Sequence, residues 1–198
     1  MIADTASGYT RDVTGPAKPR RADARRNYDV LLEAAKDVFA RLGTDAPLEV
    51  VAQEAGVGRG TLYRHFPSRE HVFAAIMRDS ADLLDARARE LLDAPDGAAR
   101  LPEWLRLYDR AATEYPGLSG HVGDGLADDG SPVATTCAPM KASFAALLDR
   151  ARAEGHVRPD VTATQVLTLV GALPKDPATG RTAEPYLDVV LEGLRITT

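Results

Sequence analysis

The chain holds a single cysteine, Cys137, among 198 residues. One thiol excludes an internal disulfide framework and a zinc site built on thiolates. Cys137 reads as a small apolar side chain, with a redox-sensing thiol as the alternative. No run of about eighteen apolar residues occurs, so no segment suits a transmembrane helix. The first residues also lack the apolar core of a secretion signal. A cytoplasmic protein without a membrane partner is therefore expected. Strand-like alternation, sequence repeats and a Gly-rich phosphate loop are missing too, which leaves an all-α chain. The histidines, at positions 65, 71, 121 and 156, follow no metal-ligand spacing, and no serine sits in a G-x-S-x-G context. The best case for an enzyme is His121 with Asp124, or Asp128 with Asp129. Those acids lie in a Gly-rich stretch typical of solvated turns. No catalytic residue, metal or cofactor is expected.

What is present is enough length for a full core and one or two small domains. The formal charge of −5 argues against indiscriminate coating of nucleic acid. It is unevenly spread: residues 1–80 hold 12 Lys or Arg against 11 Asp or Glu, and residues 81–198 hold 12 against 18. This distribution suits a front that meets a polyanion and an acidic, solvated body.

Residues 1–22 carry Gly8, Gly15, Pro16 and Pro19 with almost no apolar periodicity, the composition of a disordered arm. Between Arg11 and Arg26 lie six basic residues, Arg11, Lys18, Arg20, Arg21, Arg25 and Arg26, against Asp12 and Asp23, so the arm can either track phosphates or remain a solvated tail. Tyr28, Leu31, Leu32, Ala35, Val38, Phe39 and Leu42 recur three and four apart and predict a helix over residues 24–42, closed by Gly43. Residues 52–66, AQEAGVGRGTLYRHF, then compress a helix-to-helix turn into a short span. Val51, Ala52 and Ala55 share a face before Gly56, and Leu62 and Phe66 recur four apart after it. Small Ala52 allows a steep crossing, Gly56 accepts the left-handed backbone of the turn, and Val57 plugs it. Arg59, Gly60, Thr61, Tyr63, Arg64 and His65 are left on the outside of the second helix. Such a face is either merely solvated or reads DNA. Arg and His address base-edge acceptors, and hydroxyls suit phosphates.

The run A-x-x-A-G-V-x-x-G-T-L-Y-x-H-F, followed by a helix after Ser68, resembles the TetR family of bacterial transcriptional regulators over residues 25–78. The resemblance implies a three-helix helix-turn-helix DNA-binding domain over residues 23–68 and a helical ligand-binding and dimerisation domain over residues 69–198. It implies that Arg59, Thr61, Tyr63 and His65 face double-stranded DNA and that Arg69 holds a phosphate; Arg25 adds a charge from the first helix. One departure is Pro47, which stands where the family often has a Thr that contacts the DNA backbone. That puts the contact in question, although proline suits a first helical position.

Pro67 ends the reading helix, and Ser68 is placed to cap a long helix that carries Val72, Phe73, Ile76, Met77, Leu83, Leu84 and Leu91 and breaks over residues 93–97. It is a candidate lever between the domains. Further helices are predicted over residues 102–115 and 139–154, with loop between them, then from a capping box at Thr162 to Gln165, and finally from Glu184. Trp104, Tyr108 and Tyr115 share a face, and Met140 and Phe144 can oppose them. These residues are core, or, as the resemblance implies, they join His121 in a pocket for a small-molecule effector. Val166, Leu169, Val170, Leu187, Val190, Leu191 and Leu194 make the last two helices apolar on more than one face. This suits an internal pair or, by the resemblance, a homodimer interface. The expected function is a ligand-responsive repressor that binds a palindromic operator. An activator, an architectural DNA binder and a helical enzyme are the alternatives.

Overall fold

The computed structural model describes residues 20–113, 130–174 and 184–195, and among these the chain is all-helical. Helix α1 (Arg20–Leu42) starts ahead of the expected Ala24. Its Leu31, Ala35, Val38 and Phe39 are buried. Leu42, assigned by spacing to the same stripe, is 56% exposed, because the helix ends there at Gly43 before its face can reach a neighbour.

Helices α2 (Leu48–Glu54) and α3 (Arg59–His65) follow. Pro47 occupies the N-cap of α2 rather than its first helical position, with φ −58° and ψ 135°, and its carbonyl accepts from the Val50 amide at 3.0 Å. Gly56 turns the chain at φ +65°, where a Cβ would cost about 1–2 kcal/mol. The Val57 amide closes the turn on the Ala52 carbonyl at 3.0 Å. Val51, Ala52, Leu62 and Phe66 are buried against α1, so a three-helix unit shares one core.

Helix α4 (Arg69–Asp93) leaves this unit and packs most extensively on α6 (Pro132–Ala153). Leu83, expected on its apolar stripe, is instead 58% exposed. A tight turn after Asp93 leads through a 3-10 segment (Ala98–Arg100) to α5 (Leu101–Thr113). A Cβ on Gly97 would lie 1.6 Å from the Leu91 carbonyl oxygen, so no side chain fits there. Arg150 of α6 gathers the carbonyls of this turn: one nitrogen donates to Leu92 and Ala94, both at 2.8 Å, and another to Pro95 at 3.0 Å.

Helix α6 begins at Pro132, well before the expected Pro139. Ser131 Oγ accepts from the Ala134 amide at 2.9 Å and Pro132 pre-sets the first turn, whereas Pro139 lies inside the helix and leaves the Thr135 carbonyl without its usual donor. The capping box forms as spacing predicts at the start of α7 (Ala163–Gly171), with Gln165 N–H on Thr162 Oγ1 at 3.2 Å and Thr162 N–H on Gln165 Oε1 at 2.8 Å. Helix α8 (Glu184–Gly193) is fastened by Arg106 to Asp188 at 3.3 Å, and the Arg158 amide bonds the Leu194 carbonyl just beyond it at 2.9 Å. One apolar core runs from Leu31 to Leu194. Among the described residues no helix is long and apolar enough to cross a membrane.

Candidate nucleic-acid interface

Helix α3 is too short to stand alone, and its position is fixed by Leu62 at 0% exposure and by Phe66 just beyond its end at 2%. Burying two such side chains contributes about 1.5–3 kcal/mol each. The opposite face is therefore held outward. Arg59, Gly60, Tyr63 and Arg64 are exposed, and Thr61 and His65 are half-buried. Nothing lies within 4 Å of the place a Gly60 Cβ would take. Arg64 and, on α1, exposed Arg25 make no ion pair among the described residues. His65 stands edge-on to Tyr28 of α1, ring centroids 6.2 Å apart, which fixes its ring at the rim of the face.

One member of this surface has no counterpart in the sequence reading. Glu49, in the first turn of α2, accepts from Arg59 at 2.7 Å and from the Tyr63 hydroxyl at 3.0 Å, both on Oε1. Its own backbone amide, the Tyr63 hydroxyl and Arg59 hold the carboxylate below the usual range. An acid in a helix's first turn is commonplace, so spacing alone gives no signal that it reaches α3.

Arg69, expected at a phosphate, turns inward. One guanidinium nitrogen donates to the carbonyls of Thr44 and, at 2.8 Å, Ala46, while the guanidinium lies 5.9 Å from the Phe39 ring centre. It ties the start of α4 to the α1–α2 turn. Ser68 occupies the N-cap of α4, yet its hydroxyl meets His71 Nδ1 at 2.8 Å rather than a backbone amide. Arg69→Met keeps the stem over Phe39 and removes the donors. The variant is expected to lose about 1–3 kcal/mol of stability in denaturant melts without DNA, because the turn carbonyls are left unmet. Unchanged stability with a shallower salt slope of DNA binding would return Arg69 to a phosphate.

Farther along, Trp104, Tyr108 and Phe144 form a buried stack, with ring centroids 4.4 Å apart for Trp104 and Phe144 and 5.7 Å for Trp104 and Tyr108. Trp104 Nε1 donates to the Leu84 carbonyl at 2.9 Å and the Tyr108 hydroxyl to the Leu167 carbonyl at 3.3 Å. Burial pushes the Tyr108 phenol up, so it stays protonated. Met140 is buried beside them, and Tyr115 and His121 lie outside the described residues. Cys137 is fully buried and its thiol is pushed up to about 11 by burial, which keeps it from the reactive thiolate form.

Of the residues expected at a subunit contact, Val166, Val170, Leu187, Leu191 and Leu194 are buried within their own chain, and Val190 is half-buried. Leu169 alone among them is largely exposed, at 52%. Two residues outside that set, Tyr186 and Val189, are 50% and 72% exposed. The large apolar side chains that the last two helices leave exposed are thus Leu169, Tyr186 and Val189.

Known proteins place this arrangement. A sequence profile for bacterial regulatory proteins of the tetR family matches residues 31–76, and one for the C-terminal domain of SbtR-like transcriptional regulators matches residues 94–196. The HTH-type transcriptional repressor KstR2 of Mycolicibacterium smegmatis is 37% identical over 79 residues, 39% of this chain and 38% of KstR2. The HTH-type transcriptional regulator RutR of Escherichia coli is 31% identical over 90 residues, 45% of this chain and 42% of RutR. The match spans less than half the length of these curated relatives. Thermus thermophilus FadR, a TetR-family transcriptional repressor solved in complex with lauroyl-CoA, shares the fold, with a TM-score of 0.56 over 86% of this chain and 96% of FadR at 19% identity. With both its N-terminal and C-terminal halves matched by these profiles, the chain belongs to the TetR family of bacterial transcriptional regulators.

Proposed function

We propose that the chain is a cytoplasmic homodimer that represses transcription at a palindromic operator and is released by a small-molecule effector. Residues 23–68 read double-stranded DNA, and residues 69–198 receive the effector and join the subunits. The observation that carries the reading is the outer face of α3, where Arg59, Tyr63 and Arg64 project from a helix whose inner face is fixed by Leu62. A helix so held enters a major groove as a rigid unit, and two of them in a dimer meet successive grooves one turn apart. Gly60, Thr61 and His65 complete the contact, with Arg25 on the flanking phosphates. Effector entry between α5 and α6 works by population shift. It has to part the stack of Trp104, Tyr108 and Phe144 beside Met140, with Tyr115 and His121 as further candidates.

Binding selection with randomised half-sites tests the reading. Arg59 is at the start of α3, from which a guanidinium reaches O6 and N7 of a guanine. Arg59→Ala is expected to cost about 1–3 kcal/mol per half-site and to relax preference at one symmetric base pair. If preference survives at every position, Arg59 is a phosphate clamp and this placement of α3 is wrong.

A further inference from the structure

The two outer-face groups of α3 best suited to gripping DNA, a guanidinium and a phenol, both end on one carboxylate oxygen of the neighbouring helix. We propose that Glu49 is a specificity-determining residue: it withholds Arg59 and Tyr63 from phosphates and yields Arg59 only to a guanine. The inference rests on the DNA-reading role of α3.

Three observations carry it. First, the network is tertiary: Glu49 and Tyr63 stand 14 residues apart on different helices, so the carboxylate fixes side chains that α3 alone would leave free to rotate. Second, the carboxylate is ionised, held so by its own amide and by the two groups it binds. A negative charge beside the reading helix repels phosphates unless Arg59 stays with it. Third, the Arg59 and Glu49 side chains are 70% and 40% exposed. Exposed ion pairs are weak, so this one is easily exchanged. Two parallel hydrogen bonds to guanine O6 and N7 offer Arg59 more than a single bond to Glu49. A phosphate only replaces one ion pair of Arg59 by another of the same kind, and a scrambled duplex offers no guanine edge at that place to add to it. The exchange therefore proceeds on cognate sequence and stalls elsewhere. Tyr63 donates its only hydroxyl proton to Glu49, so it cannot donate to a phosphate in this arrangement.

The test uses the full chain, with its operator first defined by selection from random duplexes. Affinities for that operator and for a scrambled duplex are then measured over a range of salt for wild type, Glu49→Ala and Glu49→Gln. Freeing Arg59 in Glu49→Ala should raise affinity for the scrambled duplex by about tenfold and steepen its log affinity against log salt by about 0.9 per added phosphate contact. Affinity for the operator should change by less than about threefold, so the specificity ratio falls. Glu49→Gln keeps an acceptor for both donors, so it should retain the selected sequence and show a smaller rise on scrambled DNA. A specificity ratio and salt slope unchanged in Glu49→Ala, or an equal loss on both duplexes, would overturn the proposal. If wild type itself selects no sequence, the DNA-reading role has failed instead, and the two failures are told apart before any variant is made.

Discussion

Val189→Glu is expected to give a folded monomer whose operator affinity is about 10²–10⁴-fold below that of the wild type, the range over which a second tethered contact multiplies binding. Val189 is 72% exposed and lies one helical turn from Tyr186, at 50%, so the two share a face of α8. Apolar side chains this open, with Leu169 on α7, are where the proposed homodimer would join its subunits. Burying an unpaired carboxylate there opposes association strongly. The isolated chain loses little, because exposed substitutions usually move stability by less than about 0.5 kcal/mol. Leu191→Glu is the necessary contrast. Leu191 is 8% exposed and packed within its own chain, so that variant should unfold rather than dissociate. Sedimentation with parallel melting curves separates the two outcomes. If Val189→Glu and Tyr186→Glu both remain dimers that bind operator, the subunits do not meet through this face.

Trp104→Ala should remove about 3–5 kcal/mol of stability, the range for deleting a large aromatic from a packed interior. Trp104 is 0% exposed, it stacks between Tyr108 and Phe144, and its indole nitrogen answers the Leu84 carbonyl. For a chain of this size the loss lowers the melting temperature by about 6–20 °C. Trp104→Phe keeps the stack and forfeits the hydrogen bond, so it should cost about 1–2 kcal/mol, for the lost bond and the smaller ring, because the Leu84 carbonyl keeps its donor within α4. These figures distinguish a packed core from a cavity wall. A side chain that lines a hydrated cavity has fewer contacts to lose, so a drop below about 1 kcal/mol in Trp104→Ala would argue for a cavity lining. The same packing sets the work that the proposed effector would have to do to part the stack.

Periodicity made the helices and their buried faces legible: Leu31, Val38, Val51 and Leu62 are inside where their spacing puts them. The capping box at Thr162 and the turn at Gly56 are equally local, since a side chain within three residues or a single φ decides each. Pro139 misled because proline starts helices far more often than it sits within them, and only the cap at Ser131 reveals the earlier start. The last two helices are less legible for a different reason. Apolar residues on two faces do not say which face packs within the chain: Leu191 is buried there and Val189 is left exposed. Arg69 and Glu49 were out of reach for a third reason. Long charged side chains find partners across tertiary space, 23 residues away for Arg69 and Ala46, and no spacing rule spans such a gap.

Helix α4 is gripped at either end by one guanidinium. At its start Arg69 holds the carbonyls of Thr44 and Ala46 in the α1–α2 turn, and at its finish Arg150 of α6 holds those of Leu92, Ala94 and Pro95. Both fastenings are to main chain and each guanidinium meets more than one carbonyl, which resists displacement more than a single bond would. The helix is thereby built like a connecting rod between two bearings. Its 25 residues make it about 37 Å long, so a tilt of about 3° at the Arg150 end emerges as about 2 Å at the Arg69 end. Such travel would arrive at the turn that carries α2, and α2 carries Glu49.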